Sequence, residues 1–281
     1  MDLLKKISVG ALLNGVVSAL FLIVLGFAIT GLVGAFNAKR ATDTALSATL
    51  VTRDVFEALQ ATRLERGTTR SALGADAAAS ADTSASIANK RAQSAEPYER
   101  LFAICETMDC SPRVSVAELT RAVEELKTVR KSVDTALKSD LAGRPSGLRD
   151  EWTKSVTTVV TMLETMSTDL GLQVRMTDPL IGEQIAIKDM GYVVRAAAGL
   201  ERNMMVDAIQ AGSITAELAT KMSLMRGEIN AAWPVLNDMI MRPGEPKSVI
   251  AAVHNAQKVY FDDVLKQRDD IEAALNRGEP S

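Results

Sequence analysis

One stretch limits this chain more than any other. From Ile7 to Phe36 the sequence reads "ISVGALLNGVVSALFLIVLGFAITGLVGAF" and contains no charged residue. A helix rises about 1.5 Å per residue and a bilayer core is about 30 Å thick, so this run predicts a transmembrane helix. A cleaved signal peptide would also follow a basic patch such as Lys5 and Lys6, but its apolar region runs only about 7 to 15 residues. Flanking charge does not set the orientation, because Lys5 and Lys6 are balanced by Lys39 and Arg40. We expect the amino-terminal tail in the cytoplasm and the protein in the inner (plasma) membrane. Nothing after Lys39 has a second uninterrupted apolar run of spanning length, so the bulk is expected in the periplasm. In that space Cys105 and Cys110 of "ICETMDCSP" either form a disulfide or stand as two half-buried thiols.

The rest reads as long helices. In "VSVAELTRAVEELKTVRKSVDTAL" the positions Val116, Leu119, Val123, Leu126, Arg130, Val133 and Leu137 alternate spacings of three and four, which is a heptad seam. After "AGRPSG", a break that supplies Gly143, Pro145 and Gly147, the pattern resumes through Trp152, Val156, Val159, Leu163, Met166 and Leu170. A new start is expected at "TDPLIGEQ", with Asp178 as cap and Pro179 in the first turn, followed by a seam of Ala186, Met190, Val193, Ala197, Leu200 and Met204. No stretch alternates in the manner of a strand.

The two halves resemble each other. "FEALQATRLERGTTRSAL" (56–73) lies over "YVVRAAAGLERNMMVDAI" (192–209) with "LER" in register, "AEPYERLFAI" over "AAWPVLNDMI", and amphipathic helices follow from Val114 to Leu137 and from Val249 to Leu275. The expected class is therefore all-α: a transmembrane helix, then long antiparallel helices in two four-helix-bundle-like modules. We assign 1–40 to the tail and transmembrane helix, 41–175 to the first module and 176–281 to the second. The "RGEPS" at the end echoes "GRPSGLRDEW", which leads into a fourth helix in the first module, so the second module is expected to continue into its own fourth helix beyond Ser281.

Three arginines, Arg63, Arg66 and Arg70, occupy one helix stripe with no carboxylate on it. Like charges so placed repel, and three things can compensate them: a bound anion, matched by planar guanidinium donors; acidic partners such as Glu118, Glu124 or Glu125; or solvent. In the second half Gly199, Arg202 and Val206 replace them, so the two copies are not equivalent. Glu65 and its match Glu201 suggest a repeated interhelical ion pair. Arg130 interrupts an apolar seam; either it faces the first helix and joins the anion site, or Val129 takes the core position and Arg130 snorkels outward.

Other chemistry is poorly represented. A net charge of -3 with 4% aromatic residues leaves no electrostatic footprint for nucleic acid. The single His254 has no metal-ligating or catalytic neighbours in sequence, Gly-rich phosphate loops are missing, and the 12 methionines sit at core-packing spacings, so no enzyme, metal or cofactor is expected.

"ALQATRLERGTTRSAL" is similar to the "LQ-x-x-ERG-x-S-x-x-L" pattern of the helical nitrate- and nitrite-sensing receptor domains, and the doubled module resembles the helical bimodular sensors of bacterial methyl-accepting chemotaxis receptors. The resemblance implies a homodimer that binds a small anion or carboxylate between long helices and signals by a small displacement of a membrane-crossing helix. It carries over Arg66 by motif position, with Arg70 one turn along. Methylated coiled coil and kinase-contacting tip have no counterpart, so a cytoplasmic output domain is expected beyond Ser281. Two other readings stay open: the input region of a sensor histidine kinase or cyclase, and a membrane-anchored helical adaptor for a protein partner.

Overall fold

The computed structural model describes residues 9–177 and 179–278. The chain divides into a unit that ends at Ser47 and a unit that begins at Ala48. In the first unit, Leu13–Arg40 has a mean hydropathy of 2.7 over 28 residues and its side chains are uncovered, making it long and apolar enough to cross a membrane. No other helix among the described residues passes that test.

All the described elements are helical: α1 (Val9–Gly74), α2 (Ala81–Cys105), α3 (Val116–Ala136), α4 (Leu148–Thr177), α5 (Pro179–Ala211), α6 (Ala216–Ile240), α7 (Lys247–Gln257) and α8 (Leu265–Asn276). Local chemistry sets their starts. Ser80 caps α2, Ser115 and Glu118 form a reciprocal capping box on α3, and Thr215 caps α6. α5 begins at Pro179 as expected, while the cap proposed for Asp178 lies outside the described residues.

From Ala48 to Gly74, α1 packs with α2, α3 and α4 around one core. The seam expected on α4 is the centre of that core, with Trp152, Val156, Val159, Leu163, Met166 and Leu170 all fully buried. On α3, Leu119, Val123, Leu126, Val133 and Leu137 are buried as well. The α5 seam is met in part: Ala197 is buried, and Ala186, Met190, Val193 and Met204 pack half-buried against the cores. Leu200 is 38% exposed, and the buried row is Ile187, Val194, Ala197, Glu201, Met205 and Ala208. α5 touches α4, α6 and α8, so a second, half-buried apolar row stands beside the buried one.

The amphipathic stretch from Val249 to Leu275 is also not one regular helix. Between α7 and α8 the chain winds as a π-helix over Lys258–Val264. That register change sets Phe261 edge-on to Trp233, with ring centroids 5.1 Å apart, and turns the Tyr260 hydroxyl toward Glu201.

Two loops are stitched by arginines. Arg144 donates to the carbonyls of Ala72, Leu73 and Ala75 at 3.0, 2.8 and 2.6 Å, and to Ala77 and Ser139, so it closes the carboxyl end of α1. Arg144→Ala should lower the unfolding free energy by about 2–3 kcal/mol, since bonds from a charged donor to helix-end carbonyls are the stronger kind; a urea midpoint matching wild type would refute this.

Cys105 and Cys110 are joined in a disulfide, with Cα atoms 5.5 Å apart, at the end of α2. Just beyond it, buried Asp169 on α4 accepts from Ser111 Oγ and from Arg113 Nε at 2.9 Å. Arg113, aided by Ser111, holds the Asp169 carboxyl below its usual range. A depressed folded-state value means the contribution is full above the unfolded carboxyl value of about 4 and disappears as pH falls through the folded value. Asp169→Asn should therefore flatten the acid side of a stability-against-pH curve below about pH 4. An unchanged acid limb, measured by urea unfolding at each pH, would count against it.

Candidate functional site

Each repeat is tied together through one glutamate. On α1, Glu65 is fully buried and accepts from Arg91 Nε of α2 at 2.6 Å and from Arg130 Nε of α3 at 3.0 Å, while Arg91 also donates to Asp134 at 2.8 Å. On α5, Glu201 accepts from Arg226 of α6, from Arg268 of α8 at 3.4 Å and from the Tyr260 hydroxyl at 3.1 Å, while Arg226 also pairs with Glu272. Arg130 and Asp134 are spaced like Arg268 and Glu272, four apart in each case, so the same chemistry recurs in each set of three helices. Burial pushes the Tyr260 hydroxyl up to about 12, with Glu201 acting in the same direction, which keeps it a donor.

The arginine stripe of α1 lies against α4 and α5. Arg63 pairs with Glu164 of α4 and lies 4.3 Å over the ring of Tyr192, whose hydroxyl donates to the same carboxylate at 2.7 Å. Arg70 makes a two-pronged bond to Asp207 of α5, at 2.7 and 2.8 Å, and Arg149 joins it there. Between them, Arg66 donates to the Thr157 hydroxyl at 3.4 Å, with the Glu164 carboxylate near enough to act on its charge.

Beside this stripe is a pocket of about 450 Å³. Arg63 and Arg66 enter it from α1, Arg195 and Arg202 from α5, and Arg268 from α8; the Glu201 carboxylate and Tyr260 also line it, and Ala198, Met205, Val264 and Ile271 supply apolar wall. Among the described residues, Arg66, Arg195 and Arg202 have no carboxylate partner. Burial drives the Arg66 guanidinium below its ordinary value, with Arg63 adding to the effect, and burial followed by Arg63 does the same at Arg195. The Nε of Arg63 is buried without an acceptor. The Arg202 guanidinium lies against Gly67 of α1, where a Cβ would stand 2.7 Å from its Nη2. No family model matches this chain, and no curated protein or solved structure is significantly similar to it.

Of the four arginines expected at a site, the structure brings Arg63 and Arg66 into the pocket. Arg70 is satisfied by Asp207 outside it, and Arg130 turns inward to Glu65 without reaching the stripe or snorkelling to solvent. The acids that meet the stripe are Glu164 and Asp207; Glu118 is occupied in its own capping box and Glu124 with Lys127. Arg195 and Arg268 were not anticipated. Arg195 stands seven residues before Arg202 on one face of α5, a spacing the sequence does carry, but its counterpart in the first repeat is the apolar Leu59. Among the described residues no group of His, Cys, Asp and Glu is placed to hold a metal ion.

Proposed function

We propose that this protein is the ligand-sensing region of a membrane-bound chemotaxis receptor, anchored in the inner membrane with its bulk in the periplasm, and that it binds a small anion or carboxylate at a helix interface. One observation carries the reading: Arg66, Arg195 and Arg202 line a common pocket without an ion pair of their own among the described residues, the Glu201 carboxylate in its wall being bound to Arg226 and Arg268. Guanidinium groups kept partly from water and close to one another favour a ligand whose oxygens accept planar donors. The apolar walls weaken competition from solvent. The membrane-length segment of α1 and the resemblance of the "ERG" stretch to anion-sensing domains support the receptor setting. A ligand that fits one of two helix arrangements better than the other would shift their balance, which is the physical content of sensing.

The test is a thermal-shift screen of the full chain in detergent with nitrate, nitrite and short mono- and dicarboxylates, followed by calorimetry. A binding acid at roughly 100 times its Kd should stabilise the protein by about 2.7 kcal/mol. Arg66→Ala and Arg195→Ala should each remove most of that shift, whereas Lys127→Ala, on the exposed side of α3, should not. An anion that stabilises all four proteins equally, or a screen with no binder, would overturn the proposal.

A further inference from the structure

The walls of the pocket differ in chemistry. The cationic part comes from α1 and α5, where Arg66, Arg195 and Arg202 reach the cavity without an ion pair of their own among the described residues. A second wall comes from the π-helix and α8. There Val264 and Ile271 stand seven residues apart and share a helix face, and the guanidinium between them, Arg268, is held by Asp269 at 2.8 Å and by Glu201 at 3.4 Å. On α5 the stripe Arg195, Ala198, Arg202 and Met205, at spacings of three and four, sets charged and apolar groups side by side. Glu201 is occupied by Arg226, Arg268 and the Tyr260 hydroxyl, so the charge left to a ligand is positive.

Size is the second constraint. A cavity of about 450 Å³ falls within the ~300–1,000 Å³ of sites that enclose organic ligands. A bare inorganic anion is only a few times the ~30 Å³ of a water molecule in the liquid. It would leave most of the cavity to solvent, including Val264, which is 42% exposed. Nor does the protein fill the space itself: Gly199 lines it, and a Cβ built there would meet nothing within 4 Å.

We infer, resting on the reading that this pocket takes an anion, that its ligand is an amphiphilic carboxylate: the carboxylate meets Arg66, Arg195 and Arg202, and a ring-sized apolar body lies along Val264, Ile271 and Met205. The carboxylate oxygens accept planar guanidinium donors, and the body removes the apolar wall from water. A flat ring has a further match here, because guanidinium groups stack on aromatic faces, as Arg63 does over Tyr192 at 4.3 Å from the ring centre.

Calorimetric titration of the full chain in detergent micelles with benzoate, acetate, nitrate and benzamide is the test. Benzoate should bind roughly tenfold or more tightly than acetate or nitrate, a difference of about 1.4 kcal/mol. Benzamide, which keeps the shape without the charge, should bind roughly tenfold or more weakly than benzoate. Val264→Asn should remove most of the advantage of benzoate over acetate, and a circular dichroism melt establishes that this variant folds. Acetate or nitrate binding as tightly as benzoate, and lost in Arg66→Ala, overturns the inference while the anion reading stands. Benzamide binding as tightly as benzoate, or an advantage unchanged in Val264→Asn, also overturns it. Failure of all three anions to bind overturns both.

Discussion

Glu65→Ala should lower the free energy of unfolding by about 3–5 kcal/mol, because it leaves the Arg130 guanidinium without its carboxylate in a dry interior, while Arg91 keeps Asp134. Glu65 has no exposed surface, and Arg130 is only 12% exposed with no other acid recorded against it among the described residues. In a body of this size that loss corresponds to a fall in Tm of roughly 10 °C. The matched change Glu201→Ala should cost less. Arg226 keeps Glu272 and Arg268 keeps Asp269, so each retains an acid when Glu201 is removed. Replacing Glu65, Arg91 and Arg130 together by apolar residues should recover much of the stability, since a buried ion cluster is costly mainly when it is half dismantled. Chemical denaturation of the four proteins gives the ranking, and a Glu201→Ala loss equal to or above that of Glu65→Ala would sink this account.

Trp152→Ala is the second large effect, at about 3–5 kcal/mol for an aromatic side chain removed from a fully packed site. The indole sits among the seams of α1, α3 and α4 and donates to the Arg66 carbonyl, so its loss opens a cavity and frees the backbone that carries the arginine stripe. Trp152→Phe keeps most of the volume and should cost about 1 kcal/mol, chiefly through the lost hydrogen bond. The chain has 2 tryptophans, so Trp233→Phe leaves Trp152 as the sole indole reporter of unfolding. A Trp152→Ala protein that melts within a degree or two of wild type would show that the α4 seam is not the centre of the core.

The α3 and α4 seams could be read because their largest apolar residues fall on one stripe, which prints one period on the sequence. α5 could not be read as well. It packs against several neighbours, so a half-buried apolar row adjoins the buried one, and the expected seam follows the half-buried row. The π-helix left still less trace, because shifting hydrogen bonds by one residue demands no particular composition; Tyr260 and Phe261 reveal their roles only through Glu201 and Trp233. Arg130 was conspicuous as a charge in an apolar seam, and Glu65 as a repeated acid, but nothing in a linear chain joins residues on different helices.

What the sequence determined by itself is the all-helical class, the membrane-length segment, the doubled pattern and the crowding of Arg63, Arg66 and Arg70 on one stripe, because each of these is a matter of spacing along a single helix. Which arginines are neutralised was decided by tertiary structure alone. Glu164 and Asp207 reach Arg63 and Arg70 across helix interfaces, whereas Arg66 is left to face Arg195 and Arg202 across a pocket that forms only when α1, α5 and α8 come together. Charge compensation depends on distance in space, and packing sets that distance.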